Sequence, residues 1–65
     1  MKIMTERELQ VIKLLSEGKS NKQIANELFI SFHTVKAILE TIYEKTGLHN
    51  RVLLAIYATK YYIKK

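Results

Sequence analysis

The fold this sequence predicts is an all-α domain of four consecutive helices, and three observations predict it. Proline and cysteine are absent and glycine occurs only at Gly18 and Gly47, so residues that break helices are scarce. Apolar residues recur at helical spacing in every segment. A Thr, Ser or Asn able to cap a helix stands ahead of each segment, at Thr5, Ser20, Ser31 and Asn50. With 65 residues, 48% of them apolar, the chain has material for one core and not for a second domain. The whole chain, 1–65, therefore reads as one domain with helices over about 6–17, 21–28, 32–46 and 51–63.

The first helix opens on Thr5-Glu6-Arg7-Glu8, a capping box in which the Thr5 hydroxyl and the Glu8 carboxylate each satisfy the other's amide. Met4 and Leu9 stand where a hydrophobic staple would form. Val11, Ile12, Leu14 and Leu15 make a broad apolar stripe, with Glu6, Gln10, Lys13 and Glu17 on the opposite side. Gly18 supplies a left-handed stop. Ser20 and Gln23 repeat the capping box for a second helix of about two turns, whose apolar edge is Ile24, Ala25 and Leu28.

Phe29 and Ile30 then lead through a short corner to Ser31, the cap of a third helix. There Val35, Ile38, Leu39 and Ile42 recur at i, i+3, i+4 and i+7, and His33, Lys36, Ala37, Glu40 and Glu44 occupy the other face. Gly47 ends that helix and Asn50 caps the fourth, which is apolar on nearly all sides. Leu54, Ala55, Ala58, Tyr61 and Tyr62 form one stripe facing the core. Val52, Ile56, Thr59 and Ile63 form a second, beyond what a three-helix core covers, and so the expected surface for a second copy of the chain.

Composition narrows the function. Without cysteine there is neither a disulfide framework nor thiolate zinc, in keeping with a reducing cytoplasm. The longest uncharged apolar run, 52–58, is far short of the roughly 20 residues of a membrane span, and the N-terminus lacks a signal-peptide pattern, so no membrane partner is expected. Asp is absent, no glycine-rich phosphate loop occurs, and the two histidines lack a carboxylate at ligand spacing; neither an enzyme nor a cofactor is expected. A formal charge of +5 and a pI near 9.6 point to a polyanionic partner.

A two-turn helix, a short corner and a longer helix with a free polar face are the parts of a helix-turn-helix, in which the first helix braces a duplex and the second enters its major groove. Four blocks sharpen this. Met4-Thr5-Glu6-Arg7-Glu8, Gly18-Lys19-Ser20-Asn21-Lys22-Gln23-Ile24-Ala25, Ser31-Phe32-His33-Thr34-Val35-Lys36 and Lys45-Thr46-Gly47-Leu48-His49-Asn50-Arg51 together closely resemble the LuxR-type helix-turn-helix domain, with matching spacing over about residues 4–58. The resemblance implies a bacterial transcriptional regulator whose third helix reads double-stranded DNA and whose fourth pairs two subunits. A nucleoid-associated place in the cytoplasm and contact with RNA polymerase follow as expectations. Two positions depart from the family pattern, Ile38 where His is usual and Leu54 where Ala is common; both fall on apolar stripes.

Within the third helix, Lys36 offers a donor for guanine O6 or N7 or for phosphate, or is a solvated lysine. Ala37 resembles a base-facing position of the family, its methyl suited to a thymine methyl, although helix propensity accounts for it nearly as well. His33, one turn earlier, suits a phosphate or base edge, or simply the surface. Glu40 either accepts from cytosine N4 or pairs with Lys36 at i, i+4. Contacts to the DNA backbone are expected from Asn21 and Lys22 at the second helix's start, and from Ser31 and Thr34 at the third's. Arg51 is expected to tie the fourth helix to a first-helix carboxylate such as Glu8.

Two other functions fit parts of the pattern. The groove region of a sigma factor shares the Ser31 to Lys36 style, but the block 47–51 argues against it. A protein-interaction module could use the apolar fourth helix to pair with and modulate another regulator, with Glu40 on the groove face as its support. One face of a three-turn helix lies below the roughly 1,200 Å² of stable interfaces, so the expected homodimer is weak and strengthened on DNA.

Overall fold

The computed structural model describes residues 3–61. Four helices follow in order, α1 (Glu6–Ser16), α2 (Asn21–Leu28), α3 (Phe32–Thr46) and α4 (Arg51–Tyr61), and the described residues contain no strand. The first helix ends one residue early because Glu17 serves as its C-cap. For the fourth, the expected continuation through Tyr62 and Ile63 lies outside the described residues.

Each helix starts where a side chain satisfies its free amides. Thr5 Oγ1 accepts from the Glu8 amide at 3.1 Å while Glu8 Oε1 accepts from the Thr5 amide at 2.8 Å. Ser20 and Gln23 repeat the exchange at 3.2 and 2.8 Å. Ser31 Oγ accepts from the Thr34 amide at 3.0 Å, and Asn50 Oδ1 from the amides of Val52 and Leu53 at 2.7 and 3.2 Å. Gly18 (φ 87°) and Gly47 (φ 73°) take the left-handed conformation that ends α1 and α3. The second helix ends differently. Phe29 holds φ 57°, ψ 42° as its C-cap, a conformation costing a non-glycine residue about 1–2 kcal/mol.

The first helix is the hub of the core, packing on α2, α3 and α4, while α2 also packs on α3. Val11, Ile12, Ile24, Val35, Ile42, Leu54 and Ala58 are fully buried where these helices meet, each large aliphatic contributing about 1.5–3 kcal/mol. Both departures from the family pattern are absorbed here: Leu54 is fully enclosed and Ile38 packs half-buried against the cluster. Met4 enters the core, whereas Leu9, one residue off the face carrying Val11 and Ile12, remains at the rim. Tyr61 is exposed rather than buried; its ring stacks on Tyr57, centroids 4.8 Å apart.

One ion pair joins the ends of distant helices. Lys45 Nζ, in the last turn of α3, lies 2.6 Å from Glu8 Oε1 and donates to the Ile3 carbonyl at 3.0 Å. Burial by itself raises the Glu8 carboxyl, but the hydrogen bonds from Lys45 and Thr5 and the attraction of the ammonium outweigh it, leaving Glu8 below the usual carboxylate range.

Candidate nucleic-acid interface

Packing on α1 and α2 gives α3 one buried edge, Val35, Leu39 and Ile42, and leaves its other side to solvent. His33, Lys36, Ala37 and Glu40 are all exposed there, joined by Thr41. Sequence spacing placed these residues together and the structure keeps them together. A helix so displayed, about 10–12 Å across, matches the width of a major groove.

The first turn carries a residue the sequence reading passed over. Phe32 is 46% exposed, its ring set edge-on to His33 (6.0 Å between centroids) and 5.9 Å beneath the Lys36 ammonium. Lys36 therefore leans on Phe32 and forms no ion pair with Glu40, contrary to the intrahelical alternative. Helical side chains slant towards the N-terminus, which carries Lys36 over the preceding turn and away from the following one. An aromatic residue four positions before a lysine was the available signal. Ser31 and Thr34 are exposed beside it with their hydroxyls 2.8 Å apart, each partly committed to the cap.

The start of α2 supplies the second part. Lys22 is exposed, and the turn contains no acidic residue. Asn21 is half-buried because its Oδ1 accepts from Arg51 Nη1 at 2.7 Å, while Arg51 Nη2 donates to the Lys19 carbonyl at 2.8 Å. Arg51 thus ties α4 to the start of α2 and not to Glu8. The fold brings the first residue of α4 beside Lys19 and Asn21, and Lys45 already occupies Glu8. Lys19 pairs with Glu27 at 3.1 Å.

On α4, Val52 and Ile56 are 66% and 57% exposed, and Thr59 is exposed with them; Ile63 lies outside the described residues. Leu53, half exposed, widens this apolar face. Ala55, Ile56, Thr59 and Lys60 border a shallow groove against Ser16 at the end of α1. Among the described residues no helix is long and apolar enough to cross a membrane.

Residues 2–58 match the family model described as bacterial regulatory proteins, LuxR family. The chain belongs to that family. Among its relatives is the transcriptional regulatory protein LiaR of Bacillus subtilis, 44% identical over 55 residues covering 85% of this chain. Another is the oxygen regulatory protein NreC of Staphylococcus aureus, 42% identical over 59 residues covering 91%. The chain spans about a quarter of the length of these relatives, 26% of LiaR and 27% of NreC. The match takes in α1, α2, α3 and α4 as far as Ala58, so the exposed side of α3 and the start of α2 lie within the matched region.

Proposed function

We propose that this LuxR-family chain, residues 1–65 acting as one unit, binds double-stranded DNA in a sequence-specific manner as part of a transcriptional regulator. In this reading α3 enters the major groove and α4 pairs two copies. The observation that carries it is the free side of α3: His33, Lys36, Ala37 and Glu40 stand exposed together on a helix whose other edge is locked into the core. Lys36 donates to guanine, the Ala37 methyl meets a thymine methyl, Glu40 accepts from cytosine N4, and His33 takes a base edge. Lacking an ion-pair partner among the described residues, Glu40 is free to accept from a base. Asn21, Lys22, Ser31 and Thr34 hold the phosphates on either side. No cofactor or membrane takes part, RNA polymerase is the further partner, and the setting is the cytoplasmic nucleoid.

The test is affinity for selected duplexes measured against salt. A groove binder loses about 0.9 log units of affinity per log unit of salt for every phosphate contacted. Lys36→Ala is expected to cost about 1–3 kcal/mol on the preferred site with helicity unchanged. Salt-steep duplex binding that is absent altogether favours the module that pairs with another regulator through α4.

Pairing through α4 rests on exposed Val52 and Ile56 and on Thr59, at i, i+4 and i+7, a pattern self-complementary about a two-fold axis. With Ile63 the stripe reaches a further turn by sequence. So small a seam forms a weak dimer that adjacent half-sites, about one helical turn apart, strengthen by effective concentration. Ile56→Glu is expected to abolish cooperative occupancy of a paired site and to leave single half-site affinity nearly unchanged. Cooperativity that survives the substitution removes α4 from the seam.

A further inference from the structure

From the contacts of Arg51, we infer that this residue is a positioning residue for a phosphate contact made by Asn21; the inference rests on the DNA-binding reading above. The guanidinium faces Asn21 with a donor, so the carboxamide must turn its oxygen inward, at 2.7 Å from Nη1. The Nδ2 amide, carrying two hydrogens, is thereby directed away from Arg51. Nη2 holds the Lys19 carbonyl at 2.8 Å, which pins the backbone on the other side of the Ser20 cap. One planar group therefore sets both the rotamer of the first residue of α2 and the strand of chain leading into it.

Charge says what that donor awaits. Arg51 spends its hydrogen bonds on two neutral acceptors and has no carboxylate partner among the described residues, so its positive charge is uncompensated. It stands beside the positive end of a helix whose first turn holds Lys22 and no acidic residue. A guanidinium at that end is unfavourable unless an anion sits there too. The α1 start, where Glu6 and Glu8 occupy the first turn, shows the usual neutralisation. A phosphate of the DNA backbone supplies the missing charge at α2 and accepts from Nδ2.

The probe is a mixed-sequence duplex of about two helical turns, because phosphate contacts are independent of sequence. Affinity at fixed low salt, and its salt slope, are measured for the unmodified chain, Asn21→Ala, Arg51→Lys and the double variant, with helicity by circular dichroism alongside. Asn21→Ala and Arg51→Lys keep the number of cations, so each is expected to leave the salt slope nearly unchanged and to weaken binding about tenfold, one hydrogen bond to a charged acceptor, and the double variant by no more than either alone. Asn21→Asp keeps an oxygen for Arg51 but has no donor; it should match the unmodified chain in thermal stability or exceed it, and lose the same phosphate. Additive losses of affinity in the double variant, or an unchanged affinity in Arg51→Lys or Asn21→Asp, overturn the inference. An unmodified chain that does not bind the duplex overturns the DNA-binding reading itself, which is a separate result.

Discussion

The starts of α1 and α2 obey one rule of chain chemistry and reach opposite electrical outcomes. Both are capping boxes, Thr5 with Glu8 and Ser20 with Gln23, with amide-to-side-chain distances that agree within about 0.1 Å. At α1 the third residue is a carboxylate, Glu6 adds another, and Lys45 arrives from α3 to complete a part-buried ion pair. At α2 the third residue is a neutral amide, Lys22 is cationic and Arg51 arrives from α4 without a counter-charge. The first start is closed: its charges answer one another inside the protein. The second is left positive and exposed. A capping motif therefore tells where a helix begins and nothing about whether that beginning serves the fold or a ligand; the neighbours brought in from other helices decide.

The largest expected effect comes from breaking the closed start. Lys45→Met leaves the largely buried Glu8 carboxylate without its counter-charge, a loss of about 1–3 kcal/mol for a part-buried charged hydrogen bond. For a domain this small that is a large share of a total on the order of 5–15 kcal/mol. Urea denaturation measures it. The acid dependence should change with it. In the unmodified chain the folded Glu8 sits below its unfolded value, so its contribution is fully present above the usual carboxylate range and is lost as pH falls through the folded value. Removing the ammonium takes away the bond and attraction that offset burial, so Lys45→Met should lose less stability on acidification. An equal acid loss in both chains shows that Glu8 is held down by Thr5 alone.

How much of this was legible in the sequence follows from the range over which each cause acts. The four caps, the left-handed stops at Gly18 and Gly47 and the buried edge of α3 depend on residues within about one turn of each other, and the pattern showed all of them. The partners of Glu8 and Arg51 lie 37 and 30 residues away, and charge alone made Glu8 the natural choice for Arg51. Only the docking of α4 on α1, which brings Arg51 beside the start of α2, reveals that a neutral amide and a carbonyl are the real acceptors. Phe29 is a subtler case. Sequence spacing expected a corner there, but the left-handed conformation of an aromatic, 93% exposed, is set by the angle at which Ile30 must enter the core. Phe32 belongs with the legible part, since its partner Lys36 is one turn away in the same helix.

The smallest expected effect is also the most direct exchange between the two starts. Gln23→Glu gives α2 the carboxylate that α1 has at the same place, on an exposed residue whose Oε1 already accepts from the Ser20 amide at 2.8 Å. The capping bond survives, because a carboxylate accepts as a carboxamide oxygen does. A negative charge at the helix N-terminus then adds about 0.3–1 kcal/mol of stability, a gain screened by salt. The same charge lies beside the phosphates that Asn21 and Lys22 are proposed to hold, and repels them. Stability and DNA affinity should therefore move in opposite directions: a slightly higher melting temperature, and weaker binding to every duplex by a similar factor. Binding that weakens at one base pair only would place Gln23 near a base edge. Higher stability with unaltered affinity would mean that the positive start of α2 does not face the DNA, and the asymmetry between the two helix starts would then need a ligand other than the phosphate backbone.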